Sequence, residues 1–362
     1  MHPFRKKLRD TAIFKFLSSI KITVVCLILL FILTFWGTVA QVDQGLYQAQ
    51  QTFFNSWYFL VWNFLPFPGA QLILWVLFIN LTAVSITRFV YAWSHLGITI
   101  THMGLLIYFV AAFVTLQVVQ ESNITLLENE GSNLSSDYHQ WELALWKDNA
   151  ETTRTIHAHD VKGIKPGETL EFPQLNLEVA IENFYSNSQA YTTQDKKFEL
   201  PPKNASGIKS LKGVPFNIEP EQNLPGGMFV IKEGDTTQKV LLYGGESQPT
   251  SITVQNEPWN ISLRRKRYEL PFTLTLKDFR AEFHPGTETA KSYESLVEVN
   301  HQGLKRETLV YMNEPLVYKD YTFYQAAYSI DQLGRERSTL AVVKNSGKYL
   351  PYIATFVTFA GL

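Results

Sequence analysis

The feature that most constrains this fold is a set of long apolar runs within the first 120 residues. The stretch from Ile22 to Ala40 is nineteen residues without a charge, long enough to cross a bilayer core of about 30 Å as a helix. Two more runs follow, at about 72–89 and 96–119. We therefore predict that residues 1–120 form a membrane module with three transmembrane helices.

Two segments of this module allow a second interpretation. Thr38-Val39-Ala40 resembles a signal-peptide cleavage site, but the apolar run is longer than a usual signal core and further spans follow, which favours an uncleaved helix. A fourth run, residues 349–362, rises only about 21 Å as a helix. We expect the start of a truncated fourth span, or of one that continues in a longer natural product.

Basic residues in the short loops predict the orientation of the module. Arg5, Lys6, Lys7 and Arg9 precede the first span, and Arg88 lies in the second connection, whereas residues 41–69 contain no Lys or Arg. By the positive-inside rule the N-terminus is cytoplasmic. The first loop and everything after Val119 then lie on the outer side of the membrane.

The first outer loop is unusually apolar. Residues 53–69 are nearly all aromatic or aliphatic and are interrupted by Pro66 and Pro68. We predict a partly embedded interfacial helix, because Trp and Tyr favour that depth. The alternative is a lid or docking surface near an outer-leaflet site.

Residues 121–348 have a different pattern, with short alternating runs rich in β-branched and aromatic residues between Gly, Pro and Asn. This pattern predicts a large exported all-β domain, sandwich-like or built from two packed sheets. Residues 185–227 have the weakest strand pattern and predict an extended excursion.

The exported domain shows no catalytic motif such as GxSxG, HExxH or a phosphate-binding loop. The single cysteine, Cys26, excludes an intramolecular disulfide, and the nearly balanced charge, 32 basic against 33 acidic residues, indicates no nucleic-acid partner. His157 and His159 form either half a metal site or, more commonly for a polar strand, two surface histidines. We predict no catalytic residue.

Two histidines, His95 and His102, lie seven residues apart at the start of the third span. An ionisable group inside a span usually faces the bundle interior and marks a site or pathway. His102 lies about 9 Å beyond the start of that span, and Gly97 and Gly104 allow close approach of a helix or a macrocycle. The structural alternative is that His102 hydrogen-bonds to a neighbouring helix, for instance through Asn80.

The C-terminal third of the chain carries a specific resemblance. Its elements are Leu270-Pro271-Phe272, Asp278-Phe279, the Lys-x-Tyr-x-Ser run from Lys291 to Ser295, Asn313-x-Pro315-Leu316 and Tyr324-Gln325. With the layout of three helices, an exported domain and a closing helix, they resemble the ResB (CcsB) family of cytochrome c biogenesis proteins. The family usually has Gly at Asp320 and commonly Ser at Ala326 and Ala327.

The resemblance implies a subunit of the system II cytochrome c maturation complex. Such a subunit helps move haem across the membrane and present it to apocytochrome c, together with a CcsA (ResC)-type subunit that is sometimes fused downstream. The tryptophan-rich WWD haem motif of the CcsA half is absent here, so at most a non-catalytic or partial subunit of a haem lyase is expected.

The resemblance also implies site residues. His102 matches a family histidine thought to be an axial ligand of a transient b-type haem, and imidazole is a suitable iron ligand. His95, at the membrane boundary, is expected to be a capping or entry residue rather than a ligand. Arg88 could pair with a haem propionate or simply anchor the helix. The alternative function is a membrane-anchored β-domain scaffold or sensor without haem.

Overall fold

The computed structural model describes residues 11–89, 92–148, 154–192, 203–286, 290–331 and 333–362. Arg5, Lys6, Lys7 and Arg9, used above for the orientation, lie outside these ranges. The chain forms two compact units. The membrane unit contains the chain up to Gln120, with Tyr318–Tyr321 and Val343–Leu362, and the β unit contains Glu121–Val317 and Thr322–Val342.

The membrane unit is mainly helical. Its α-helices are α1 (Ala12–Leu17), α2 (Ile20–Gln44), α3 (Leu46–Ala49), α4 (Ala70–Thr87), α5 (Leu96–Val118) and α6 (Leu350–Gly361). A π-helical turn, Gln50–Phe54, follows α3, and a 3-10 turn, Trp93–His95, precedes α5. Helices α2, α4 and α5 are long and apolar enough to span a membrane, which confirms that the three predicted runs form apolar helices of that length. The protein is therefore a membrane protein.

A buried amide connects the first two spans. Asn80, in the middle of α4, is buried, and its Nδ2 donates to the carbonyl oxygens of Leu17 (2.6 Å) and Ser19 (3.0 Å). Its Oδ1 accepts from the Thr23 hydroxyl at 2.7 Å. Polar groups that are fully paired in this way stabilise contacts between helices in an apolar surrounding. Asn80 thus provides a hydrogen-bond donor for two backbone carbonyl groups at the junction of α1 and α2.

Small residues bring α5 and α6 together in an antiparallel contact. A Cβ added to Gly104 would lie 2.2 Å from Thr358 Oγ1 and 2.6 Å from Thr358 N. One added to Gly97 would lie 2.6 Å from the carbonyl oxygen of Gly361. Further along, the hydroxyls of Tyr108 and Thr355 hydrogen-bond. We call this contact the glycine seam.

The predicted interfacial helix in the first loop is wrong. Residues Tyr58–Val61 and Leu65–Pro68 instead form an antiparallel hairpin, β1 and β2. Its turn places Trp62 and Asn63 at positive φ, 51° and 62°. The two prolines explain the difference, because they are excluded from a helix interior but tolerated on an edge strand.

The remaining strands belong to three sheets. They are β3 (Gln120–Leu127), β4 (Gly131–Trp146), β5 (Ile156–Asp160), β6 (Thr169–Phe172), β7 (Leu177–Tyr185), β8 (Ser188–Tyr191), β9 (Ser210–Gly213), β10 (Gly226–Glu233), β11 (Thr236–Tyr243), β12 (Thr250–Val254), β13 (Glu257–Phe283), β14 (Ala290–His301), β15 (Leu304–Tyr311), β16 (Leu316–Tyr318), β17 (Tyr321–Ile330) and β18 (Glu336–Lys344). The large β-rich domain expected from the sequence is therefore present. Short 3-10 turns occur at Pro173–Leu175 and Pro220–Gln222.

The largest sheet has the order β15-β14-β13-β4-β3-β18-β17-β16, with β12 paired to β13 and β5 to β4. A second sheet has the order β11-β10-β7-β6. Side chains of both sheets meet in one core, to which Leu143 and Leu263 contribute from the large sheet and Phe229 and Val179 from the small one. Alternating apolar residues on facing strands account for this core.

The predicted excursion at 185–227 contains some regular structure. Within it, β8 and β9 form a separate two-stranded sheet in which Ser188 pairs with Gly213 and Tyr191 with Ser210. Residues 193–202 of this stretch lie outside the described ranges. The few apolar positions in these two short strands explain why their pattern was weak.

The turn between β17 and β18 depends on one carboxylate. Asp331 accepts hydrogen bonds from the backbone of Leu333 and Arg335 and from Arg335 Nε at 2.7 Å. The backbone bond from Arg335 and the Arg335 side chain lower the pKa of Asp331, against the opposing effect of burial.

A lowered pKa in the folded state predicts a pH-dependent contribution to stability. The Asp331 contacts are expected to stabilise the fold above the carboxyl's ordinary pKa of about 3.9, and this contribution is lost as pH falls through the folded-state pKa. Asp331→Asn should therefore unfold at lower urea concentration than the unmodified protein at pH 6, with a smaller difference near pH 3. Equal differences at both pH values, measured on the full chain in detergent, would contradict the prediction.

Candidate functional site

The imidazole of His102 lies near the start of α5 and is only partly buried. Its Nδ1 is 2.7 Å from the carbonyl oxygen of Ile98, one turn earlier. A carbonyl oxygen only accepts, so Nδ1 carries a proton, and in the neutral ring the lone pair is then on Nε2. A neutral imidazole held in this tautomer by a backbone carbonyl is the usual form of a metal-ligating histidine.

A second contact fixes the plane of the ring. Phe89, just beyond the end of α4, meets the His102 ring edge-on, with the centroids 4.9 Å apart and the planes at 74°. Within the described part of the chain, the structure shows no hydrogen bond at His102 Nε2. The ring thus contacts two neighbours, and neither of them hydrogen-bonds to Nε2.

The alternative prediction was a hydrogen bond between His102 and Asn80, and the partners of Asn80 do not include His102. Asn80 bonds to Leu17, Ser19 and Thr23, and its carbonyl and amide groups are both used there. The polar residue predicted to pair with His102 thus stabilises a different helix junction.

Two roles were predicted for Gly97 and Gly104, close approach of a helix and close approach of a macrocycle, and the contacts of the two glycines fit the first. Close helix approach is confirmed at Gly97 and Gly104, but the space beside Gly104 is filled by Thr358 of α6. His102 and Gly104 are separated by about 200° around the helix. The glycine seam and the His102 ring are therefore on opposite sides of α5, and a macrocycle cannot use Gly104 for close approach.

His95 lies at the N-terminal boundary of α5. It is the N-cap residue, but its side chain makes no capping hydrogen bond. Its Nδ1 is instead 2.9 Å from the hydroxyl of Ser94, and the residue is exposed. The adjoining surface forms a cavity of about 250 Å³ lined by Ala92, Trp93, Leu96 and Thr99.

Arg88 is the C-cap residue of α4 and is exposed. Its Nε donates to the Ser18 hydroxyl at 3.3 Å, at the junction of α1 and α2. Arg88 is followed in the chain by Phe89, whose ring contacts the His102 ring. The three predicted site residues thus belong to the same end of the span pair. Both histidines carry an imidazole, but only the His102 ring lies within the span, whereas His95 is the exposed N-cap residue.

In the β unit the paired histidines do not gather a metal site. His157 and His159 lie on β5, where His157 is near the Trp259 ring and His159 Nδ1 is 2.9 Å from its neighbour's carbonyl oxygen. Among the described residues, no group of three His, Cys, Asp or Glu side chains could hold a metal ion.

The residues that carry the family resemblance are mostly structural. The hydroxyl of Ser295 bonds to Gln325 Oε1 (2.8 Å) and to Ser338 Oγ (2.7 Å), which connects β14, β17 and β18 inside the unit. Phe272 packs edge-on against Phe323, with the ring centroids 5.9 Å apart. Phe272 and Ser295 are buried, which indicates that this part of the motif maintains the sheet, whereas Lys291, Asn313 and Tyr324 are exposed.

The departures from the family pattern fall where the fold tolerates them. Ala326 and Ala327 are exposed on β17. Asp320 lies in the turn before β17, where its carbonyl oxygen accepts from Asn345 N and its carboxylate from Ser346.

A charged and aromatic cluster lies where β4 bulges away from β13. Asp137 accepts from the backbone of His139 and Gln140 and, at 2.8 Å, from the hydroxyl of Tyr268. Burial and the bond to Asp137 raise the pKa of Tyr268, so that this phenol stays protonated. Burial also lowers the pKa of His139, although Glu221 opposes that effect. The hydrogen bonds to Asp137 therefore stabilise this turn, and we assign the cluster to the fold.

A second charged pair supports the same strands. Arg264 Nε is 2.9 Å from Glu142 Oε1, both side chains are largely buried, and the guanidinium lies 5.2 Å from the centre of the Trp146 ring. Removing one member of such a pair is costly because the other charge stays buried. We assign this pair to the fold.

Sequence reasoning missed two contacts of the candidate site. Phe89 gave no signal, because an aromatic residue at the end of a span is common. The α6 partner of α5 did leave a signal. Gly97, Thr101 and Gly104 have the same spacing as Ala354, Thr358 and Gly361, and small residues at helical spacing favour close helix packing.

Comparison with known proteins agrees with the resemblance seen in the sequence. The model of the ResB-like family matches residues 91–354. Protein NrfI of Wolinella succinogenes is 33% identical over 95 residues, which is 26% of this chain and 10% of that protein. The chain thus matches only a small part of that relative. The family match includes His102, α5, the whole β unit and the first five residues of α6, and on this evidence the chain belongs to the ResB-like family.

Proposed function

We propose that this protein is a haem-handling subunit of the system II cytochrome c maturation complex. It helps move haem across the membrane and present it for covalent attachment to apocytochrome c. Membership of the ResB-like family points to a role in cytochrome c biogenesis. The haem-specific part of the proposal depends on His102.

The observation that carries the proposal is the state of the His102 ring. Its Nδ1 proton is donated to Ile98, its plane is held by Phe89, and Nε2 keeps a lone pair inside a membrane span. Iron in haem takes four nitrogens from the porphyrin and needs only one or two protein ligands. A single oriented imidazole therefore suffices on this side, and no cluster of ligands is required.

The position of His102 suits haem that enters from the cytoplasmic side. The ring lies about 9 Å beyond the start of α5. Arg88, whose guanidinium also contacts Ser18, is the candidate partner for a haem propionate. His95 is proposed as a boundary residue on the entry path rather than as a ligand.

The remaining chemistry is assigned to partners. A CcsA (ResC)-type subunit, separate or fused, would supply the second axial ligand and the WWD surface. Apocytochrome c would supply the CxxCH thiols, since Cys26 is buried within α2. The helices would lie in a bacterial inner membrane, with the N-terminus cytoplasmic and the β unit periplasmic.

The test of this proposal is the haem content of the purified protein. We expect the full chain, expressed with a CcsA-type partner and purified in detergent, to show the absorption bands of b-type haem and a positive pyridine haemochrome assay. A preparation that matures cytochrome c in cells but never contains haem would instead favour a membrane-anchored scaffold or sensor.

A further inference from the structure

The hairpin of β1 and β2 exposes an apolar surface that the proposed haem site does not use. Its inner face packs on the membrane unit, where Phe59 and Phe67 contact the Trp36 ring at centroid distances of 5.7 and 5.8 Å. Tyr58 and Leu60 alternate with Phe59 and lie on the other face, both exposed. One face of the hairpin is thus fixed to the helices and the other is left open.

The tip of the hairpin is aromatic. Trp62 and Phe64 are 77% and 70% exposed, and their rings stack at a centroid distance of 6.2 Å. Such large apolar side chains at the tip of a turn bury little in the fold, so they do little for its stability. An exposed apolar surface of this kind marks an interaction site.

Charge and continuity indicate the nature of the occupant. From Gln44 to Thr87 the chain contains no Asp, Glu, Lys, Arg or His. This uncharged stretch begins at the end of α2 and continues through α3, the π-helical turn, the hairpin and α4, so the hairpin belongs to the connection between two helices that can span a membrane. A surface of Trp, Tyr and Phe next to the ends of membrane spans has the composition of a membrane interface.

The backbone of the hairpin limits how deep it can lie. Open sheet edges do not occur in the hydrocarbon core, because their N–H and C=O groups would lack partners. Pro66 and Pro68 pair with Leu60 and Tyr58 and have no N–H to donate. The outer edge of β2 therefore has two fewer backbone N–H groups that would need water as a partner. The outer edge of β1 keeps its N–H groups. This arrangement suits the headgroup region and not the bilayer centre.

We infer that the Tyr58–Pro68 hairpin inserts its tip, Trp62 and Phe64, into the outer-leaflet interface of the bilayer as a membrane wedge. The occupant of its open face is lipid. A protein partner or free water are the competing possibilities, and the experiment below distinguishes them without reference to haem.

The test uses spin labels on the full chain in lipid nanodiscs. In a Cys26→Ser background, Trp62→Cys is labelled with a nitroxide, and its collision rates with oxygen, which is concentrated in lipid, and with a water-soluble nickel chelate are compared. The matched control is Leu304→Cys. Leu304 is 80% exposed and also adjoins a hairpin turn with positive φ, at Gln302 and Gly303, but belongs to the β unit.

We expect the oxygen-to-nickel ratio at position 62 to exceed that at position 304 severalfold, with a depth near the headgroups. Equal, nickel-accessible ratios would overturn the inference in favour of water. A label at position 62 shielded from both reagents would overturn it in favour of a protein contact. If Trp62→Cys does not fold, Phe64→Cys provides the same reading from the neighbouring ring.

Discussion

The His102→Ala variant is expected to lose most of the haem that co-purifies with the complex, and with it most cytochrome c maturation. In the structure the His102 ring contacts Ile98 and Phe89 within the span, whereas the imidazole of His95 lies at the helix boundary beside Ser94. Even changes to residues that only orient a metal ligand reduce affinity by about 10- to 100-fold. Loss of the ligand itself should cost at least as much, measured as haem per protein and as c-type haem in membranes.

His95→Ala is the matched control, because it removes an imidazole seven residues away on the same helix. We expect it to retain the haem spectrum. The ligand role is separated from a packing role by adding imidazole to His102→Ala, because free imidazole can enter the space left by the ring and restore the spectrum. Unchanged haem content in His102→Ala, or a loss that imidazole does not reverse in a folded protein, would contradict direct ligation.

The helices were predictable because their signal is local. A run such as Ile22–Ala40 has no charge and exceeds the length that a bilayer requires, so its helical state does not depend on the rest of the chain. The structure extends this first span to Ile20–Gln44 and shifts the second to Ala70–Thr87. Ends of this kind depend on capping and fraying, which hydropathy does not report.

The hairpin was not predicted because hydropathy does not show which of its side chains point inward and which point outward. In β1 the inward Phe59 and the outward Tyr58 and Leu60 are all apolar, so the two faces of the strand cannot be distinguished by hydropathy. Only Pro66 and Pro68 indicated that a helix was unsuitable there. A strand with apolar residues on both faces lacks the polar residues on which strand prediction depends.

The candidate site could be predicted only in part for a related reason. His102 was identifiable because an imidazole inside a span is unusual. Its tautomer depends on the helical carbonyl of Ile98, and its orientation on Phe89, which lies across a turn from α5. The role of Gly104 was ambiguous until the partner helix was known, because a glycine allows close approach without specifying what approaches.

Gly104→Leu is the second change from which we expect a large effect, here on the glycine seam. The first added carbon would lie 2.2 Å from Thr358 Oγ1 and less than 3 Å from the Thr358 backbone. Because backbone atoms cannot rotate away, the helices must separate. Overpacking a well-packed contact costs about 1–3 kcal/mol, and occasionally more, which is large for a contact made by a 12-residue helix.

The separation can be measured by electron–electron resonance between nitroxides at Val110 on α5 and Tyr352 on α6, two exposed positions, in a Cys26→Ser background. We expect a single short distance in the parent and a longer, broader distribution in Gly104→Leu. Ala112→Leu is the matched control, since it enlarges an exposed alanine on the same helix. An unchanged distribution in Gly104→Leu would contradict the seam.

The same variant separates the two faces of α5. His102 is about 200° from Gly104 around the helix, and its contacts are with Ile98 and Phe89 rather than with α6. We therefore expect Gly104→Leu to disturb α6 while it retains most of the haem, the reverse of His102→Ala. If Gly104→Leu loses haem as completely as His102→Ala, then the haem site depends on α6 packing and cannot be attributed to the His102 face alone.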